Sequence, residues 1–156
     1  MISKLYWVEP QRLAIMARPR AGDWLLDEMR SFREQGVHTI VSLLTEDEVR
    51  ELELEAEESA CASVGLHFRS FPIPDRELPA SLAAARSFAF ELADEITKGR
   101  AIAIHCRMGI GRSSLIAAAV QVSLGTSPEL ALERLSAARG LRVPDTEEQR
   151  RWILAL

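Results

Sequence analysis

Cysteine is scarce in this chain: of its 156 residues only Cys61 and Cys106 carry a thiol. Two cysteines cannot build a disulfide framework, and such sparse use fits a reducing compartment. Lysine is almost as rare, at Lys4 and Lys98 only, so arginine supplies nearly all the positive charge. A net charge of −4 and a pI near 5.5 leave no broad basic face. General nucleic-acid binding is therefore not expected, although a local basic pocket is allowed. The opening stretch from Met1 to Trp7 lacks the charged segment and apolar run of a signal peptide. The longest apolar run, Leu115 to Val120, is far too short to span a bilayer. A cytoplasmic protein without a membrane partner is the expectation. His38 and His67 lie in apolar stretches with no partner ligands at fitting spacing, so no metal or cofactor is expected.

What is present describes an ordinary globular chain, long enough to bury a core and short enough for one domain over residues 1–156. Short β-rich segments are expected at Lys4 to Glu9, Leu13 to Met16, Val37 to Leu44, Leu66 to Phe71 and Ala101 to Ile104. Between them lie helical patterns. One covers Gly22 to Gln35, one starts at the Thr45/Glu48 capping pair, and one covers Leu82 to Ile96. Others cover Ser113 to Leu124, follow the Ser127-Pro128 start, and run from Asp145 onward. The acidic run from Glu46 to Glu58 reads as a solvated helical face, since no calcium-type loop spacing accompanies it. Strands separated by helices predict an α/β domain: a central, mainly parallel twisted sheet of about five strands flanked by helices.

One segment concentrates the chemistry: His105-Cys106-Arg107-Met108-Gly109-Ile110-Gly111-Arg112-Ser113, at the carboxyl end of a buried strand and running into a helix. Ligands of open α/β sheets bind at that edge. Backbone N–H groups of Arg107, Met108, Gly109, Ile110 and Gly111 can curl around a phosphate, and the helix start adds partial positive charge. Gly109 and Gly111 allow a close approach that side chains would block. Arg112 returns a planar fork suited to two phosphate oxygens. The same positive surroundings favour the thiolate of Cys106, which makes one loop both nucleophile and anion site.

The run His-Cys, five residues, Arg-Ser resembles the signature of the cysteine-dependent protein tyrosine phosphatase superfamily, and is similar to compact bacterial dual-specificity and kinase-associated-phosphatase-like members. The Pro72-Ile73-Pro74-Asp75-Arg76 segment and the stretch from Arg139 to Gln149 support the likeness. The resemblance implies phosphomonoester hydrolysis through a phosphocysteine on Cys106, without a metal. It implies Asp75 as general acid, with Glu77 the nearest rival, and Ser113 as the hydroxyl that bonds the departing sulfur. His105 would orient the loop. Gln149 would position the hydrolytic water or, equally, sit on the surface of a last helix. Arg69, Arg76, Arg107 and Arg142 could ring the mouth. No tryptophan precedes the Pro-Asp pair, and Ser114 stands where many relatives have glycine. Lipid-directed relatives often carry loop lysines, where this chain has Arg107 and Ile110, which favours protein or aryl phosphate. Cys61 is read as a packing residue rather than a redox partner.

Three functional readings stay open at this stage. The first is a phosphatase of protein phosphotyrosine, extending to phosphoserine and phosphothreonine. The second keeps the chemistry but takes a small soluble phosphate, such as an inositol or nucleotide phosphate. The third is a pseudophosphatase that binds phosphate without turnover. A sulfurtransferase or arsenate reductase fits the Arg-Ser that follows the loop less well.

Overall fold

Every second side chain of a strand leaves the same face of a sheet, so alternating apolar residues can serve two cores at once. In the computed structural model, which describes residues 3–156, five strands form one sheet in the order β1-β2-β5-β3-β4. They are β1 (Tyr6–Glu9), β2 (Leu13–Met16), β3 (Thr39–Ser42), β4 (His67–Ser70) and β5 (Ile102–His105). β1 runs antiparallel to β2, and the remaining pairings are parallel. Leu13, Ile15, Val41, Ile102 and Ile104 enter one core, while Ala14, Met16, Ile40 and Ala103 enter the other. Burial on both faces is why β2 is wholly apolar and why the polar residues of β3 and β5, Thr39, Ser42 and His105, stand at the strand ends. Met1 and Ile2, part of the opening read above for a signal peptide, lie outside the described residues.

Among the described residues seven α-helices cover the sheet: α1 (Leu25–Glu34, after a 3-10 turn at Gly22–Trp24), α2 (Glu46–Glu51), α3 (Glu57–Ser63), α4 (Leu82–Thr97), α5 (Arg112–Ser123), α6 (Pro128–Arg139) and α7 (Glu147–Leu154). Met29 and Phe32 of α1 and Cys61 of α3 pack on one face; α4 to α7 supply Phe88, Leu92, Leu115, Leu132 and Ile153 to the other. The α/β architecture expected from the sequence is thus present. Helix starts follow the caps, with Thr45, Ser81, Ser127 and Thr146 each accepting a backbone N–H through the side chain. Helix α5 is buried along Arg112 to Gln121, so it has no polar face to show. Among the described residues no helix is long and apolar enough to cross a membrane.

The acidic run departs from its expected form. It makes two helices, not one, with Glu53 between them at φ +57°. Nor is it simply a solvated face, because Glu48 and Glu57 turn inward and are buried.

Candidate active site

Strand β5 delivers His105 and Cys106 to the carboxyl edge of the sheet, and α5 begins at Arg112. Between them the chain makes a tight loop whose shape is set by what grips its carbonyls. The Cys106 carbonyl accepts from His105 Nδ1 (3.2 Å), and that of Arg107 accepts from the Arg18 N–H (3.2 Å). Arg139, in the last turn of α6, donates Nη2–H to the Met108 carbonyl (3.4 Å) and Nε–H to that of Gly109 (3.2 Å). The Ser114 hydroxyl donates to the Ile110 carbonyl (2.5 Å). In a planar trans peptide the N–H points opposite to the C=O. Pinning these carbonyls outward therefore turns the following N–H groups, Arg107 through Gly111, toward the loop's own centre. Among the described residues none of those N–H groups donates to a protein acceptor. They form an oriented ring of donors at a helix N-terminus, which is what an oxyanion needs.

Glycine is required at one point of this ring, Gly109, and fits closely at a second, Gly111. Gly109 has φ +71°, and a methyl group there would stand 2.5 Å from the Met16 carbonyl carbon and 2.7 Å from Ala17 N. A methyl on Gly111 would stand 2.5 Å from Asp145 Oδ2 and 3.1 Å from Gln149 Oε1. The loop is thus pressed against the end of β2 on one side and against the start of α7 on the other.

Cys106 is buried within the ring, 3% exposed, with its Sγ donating to Ser113 Oγ at 3.4 Å. Arg112 is equally buried, and its N–H groups divide cleanly. Both Nη1 protons are used, on Glu48 Oε1 (2.6 Å) and the Ile73 carbonyl (2.8 Å). One Nη2 proton goes to Glu48 Oε2 (2.9 Å). The Nε–H bonds no protein acceptor, and the second Nη2 proton lies on the side of the Asp75 carboxyl; where that carboxyl turns aside, the two make a fork for two oxygens. Burial opposes ionisation of Glu48, but hydrogen bonds from Arg112 and Thr45 and the Arg112 charge outweigh it and hold the pKa at about 2. Burial alone would lower the Arg112 pKa, but the bonds and charge of Glu48, with Cys106 and Asp75 adding, raise it overall.

Asp75 reaches the same place from the other side. Beyond β4 the chain continues its pairing through the Phe71 N–H to Ser42 and the Ile73 N–H to Leu43, then turns, with the Glu77 N–H bonding the Pro74 carbonyl. This turn sets Asp75 Oδ1 3.1 Å from Arg112 Nη2 while leaving the carboxyl half-exposed. Glu77, the rival acid, meets the site only through its carbonyl, which accepts from Gln149 Nε2 (3.3 Å). Gln149 is not on the surface: it is buried, closes the cap of α7 with Thr146, and ties the acid loop to the region of Gly111.

The arginines expected at the mouth separate. Arg107 pairs with Glu51 (3.0 Å) and Glu48 (3.6 Å) beside the loop. Arg142 and Ile110 line a neighbouring cavity of about 350 Å³. Arg76 is exposed next to Asp75. Arg69 does not belong to the mouth; it lies over the Phe88 ring and pairs with Glu91 and Glu95 of α4. Cys61 contacts Met29 in the core opposite to that of Cys106, and burial together with the charges of Glu57 and Glu58 pushes its thiol up to about 12. Among the described residues no cluster of His, Cys, Asp and Glu could hold a metal.

Sequence reasoning missed four contributors: Glu48, Glu57, Arg18 and Arg139. Only Glu48 had a local signal, as the third residue of the Thr45 capping box, and that signal says nothing about Arg112.

Comparison with known proteins now decides the family. A family model described as "Tc-R-P: Polymorphic toxin system, DSP-PTPase phosphatase" matches residues 14–126. The chain belongs to this family. It is a cysteine-based phosphatase of the dual-specificity class, as its resemblance implied. Solved structures share the fold. Kinase-associated phosphatase (KAP) aligns over 99% of this chain and 97% of its own at 21% identity, with a TM-score of 0.83. PTPMT1 in complex with PI(5)P aligns over 97% and 92% at 18% identity and a TM-score of 0.79. P. aeruginosa TpbA in complex with pTyr aligns over 99% and 86% at 18% identity and a TM-score of 0.61. No curated protein matches the sequence.

Proposed function

We propose that this phosphatase is a cytoplasmic enzyme that hydrolyses phosphotyrosine in proteins, with phosphoserine and phosphothreonine as further substrates, and that residues 1–156 act as its catalytic domain. The reading is supported by one arrangement: a loop whose N–H groups bond no protein acceptor holds the buried Cys106 sulfur and runs into Arg112, whose Nη2 is 3.1 Å from the Asp75 carboxyl.

In this reading the Cys106 thiolate attacks phosphorus while the loop N–H groups and Arg112 hold the equatorial oxygens. The P–O bond to the alcohol or phenol breaks, and protonated Asp75 gives its proton to the departing oxygen. Asp75, now a carboxylate, takes a proton from water, and the hydroxide oxygen attacks the phosphocysteine. The P–S bond breaks, inorganic phosphate forms, and the sulfur leaves as a thiolate bonded by Ser113. Gln149, anchored between the acid loop and Gly111, orients that water.

Two features support an aryl monophosphate over a polyphosphate. Met108 and Leu141 are exposed apolar side chains on the loop and on the segment after α6, suited to a phenyl ring. Two of the nearby cations are already engaged, Arg107 by Glu48 and Glu51 and Arg142 by Glu147, which leaves less charge for extra phosphates. The second reading keeps the chemistry and takes an inositol phosphate; PTPMT1, which shares the fold, is solved with PI(5)P, whose phosphate is carried on an inositol ring.

Replacing Cys106→Ser is expected to abolish turnover while calorimetry still detects inorganic phosphate binding. Retained turnover would remove Cys106 as nucleophile. Specificity constants for phosphotyrosine peptides against inositol and nucleotide monophosphates separate the substrates, and a preference for the soluble phosphates would overturn the protein-directed reading.

A further inference from the structure

On the β2 side of the catalytic loop lies positive charge that the chemistry above does not use. β2 pairs in parallel with β5, Met16 opposite His105, so Ala17 and Arg18 leave the sheet at the same edge as Cys106 and Arg107. The bond from the Arg18 N–H to the Arg107 carbonyl, 3.2 Å, joins the two segments directly. Beside them is a cavity of about 280 Å³, lined by Arg18, Pro19, Arg20, Ala21 and Leu52. Leu52 closes α2, the helix whose Glu48 and Glu51 hold Arg112 and Arg107. The cavity thus adjoins the loop at Arg107.

Its lining differs from that of three other cavities, beside α4, α6 and α7. Each of those carries at least two carboxylates, in keeping with a net charge of −4. This one carries two guanidinium groups and no carboxylate. Arg18 is partly buried, and among the described residues no carboxylate pairs with it: Glu28 pairs with Arg20, and Glu51 with Arg107. Arg20 is fixed from behind. Glu28, fully buried in α1, accepts from the Arg20 backbone N–H (3.0 Å) and from its Nε–H (3.1 Å). The Arg20 guanidinium lies over the Trp24 ring, 4.6 Å from its centre. Among the described residues neither of its Nη groups bonds a protein acceptor, so four of its five N–H donors stay available.

A fixed fork beside a second cation, in a cavity without acids, suits an anion. Glu28 offsets one of the two positive charges. The single charge left matches a carboxylate better than a phosphate, which carries about −1.5 to −2. We propose that Arg18 and Arg20 form a specificity subsite that takes the carboxylate of an acidic residue close in sequence to the phosphotyrosine of the substrate protein. The proposal rests on the reading of this enzyme as a protein phosphatase.

Phosphotyrosine peptides of one parent sequence provide the test, carrying glutamate or glutamine at each position within about four residues of the phosphotyrosine, a reach of roughly 13 Å. At one or two positions glutamate is expected to raise kcat/KM about 3- to 10-fold over glutamine, and added salt should shrink that ratio. Arg18→Gln and Arg20→Gln should each bring the ratio close to 1, whatever they do to kcat itself. Arg18→Glu should reverse the preference, so that lysine at the same position makes the better substrate. A role in folding alone would lower the melting temperature and leave the ratio as it was. A ratio close to 1 at every position in the unmodified enzyme, or a ratio that survives in both folded glutamine variants, would overturn the proposal. Should the variants not fold, the unmodified enzyme still decides, because a glutamate preference that salt does not weaken is not made by this charge. Turnover of an inositol bisphosphate that drops in Arg18→Gln while the peptide ratios stay flat would give the cavity to a small phosphate and overturn the proposal as well. An enzyme that cleaves phosphotyrosine peptides with a flat profile loses this subsite alone; one that cleaves none of them loses the protein-directed reading too.

Discussion

Glu48→Gln removes the charge that holds Arg112, and the structure gives the size of the effect. The two side chains are 9% and 1% exposed, and their bonds keep the Glu48 carboxylate ionised down to about pH 2 where an unfolded chain would protonate it near 4.5. A folded-state pKa below the unfolded one contributes stability that is complete above the unfolded value and fades as pH falls through the folded one. Here the contribution is about 3 kcal/mol at pH 7, about 1 kcal/mol at pH 3, and nearly gone below pH 2. Breaking a buried ion pair by removing one partner costs about 3–5 kcal/mol in general, which agrees at its lower end.

The measurement is urea unfolding of both proteins at several pH values, followed by the fluorescence of Trp7, Trp24 and Trp152. The gap between them should be near 3 kcal/mol at pH 7 and should close on acidification, chiefly between pH 4.5 and 2. Taking the difference cancels every other carboxylate that titrates in that window. Activity should fall as well, since glutamine offers one acceptor where carboxylate offers two and its amide faces an Arg112 N–H. A gap under about 1 kcal/mol at pH 7, or one that stays constant to pH 3, would refute the assignment of Glu48 as the clamp on Arg112.

Two further outcomes test the rest of the site. Asp75→Asn should cost about 10²–10⁴-fold with phenyl or alkyl phosphates but much less with a leaving group that is already acidic, and an equal loss with both would clear Asp75 of the acid role. Gly109→Ala should destabilise the fold by more than about 2 kcal/mol or abolish phosphate binding, because the added methyl meets backbone atoms of Met16 and Ala17 that cannot swing aside; a variant with unchanged melting and phosphate affinity would show that the loop is not pressed against β2.

Much of this was legible in the sequence for identifiable reasons. Strand β5 and the loop could be located because an apolar run, a cysteine, two spaced glycines and an arginine carry their own local rules. The caps at Thr45 and Ser127 are likewise local. Glu48 and Glu57 escaped because a carboxylate on a short helix has the same neighbours in sequence whether it meets water or a partner. Their partners lie 64 and 48 residues away, at Arg112 and His105. The break at Glu53 compounds this. A single helix over the acidic run would have one continuous face; two helices have separate ones, and only the fold decides which residues turn inward. Arg69 failed in the opposite sense: its place in the strand that feeds the acid loop suggested the mouth, but its side chain lies toward α4.

The donors that shape the loop come from outside it, and this limits what the signature alone can promise. Isolated peptide units prefer no common direction, and a loop with its carbonyls turned inward would repel the anion that its cysteine must attack. Here the outward direction is imposed from after β2 by the Arg18 N–H, from α6 by Arg139, from within α5 by Ser114, and from β5 by His105. Arg139 is itself held over the Tyr6 ring of β1, at 4.2 Å. The cysteine and arginine supply reactive groups, but the ring of N–H groups owes its orientation to residues scattered from 18 to 139. An oriented dipole ring costs no reorganisation when charge develops, which is where most electrostatic stabilisation of a transition state arises. The same nine residues grafted between a different strand and helix would keep the thiol, the guanidinium and His105, but without the grips of Arg18, Arg139 and Ser114 they would lose the anion site.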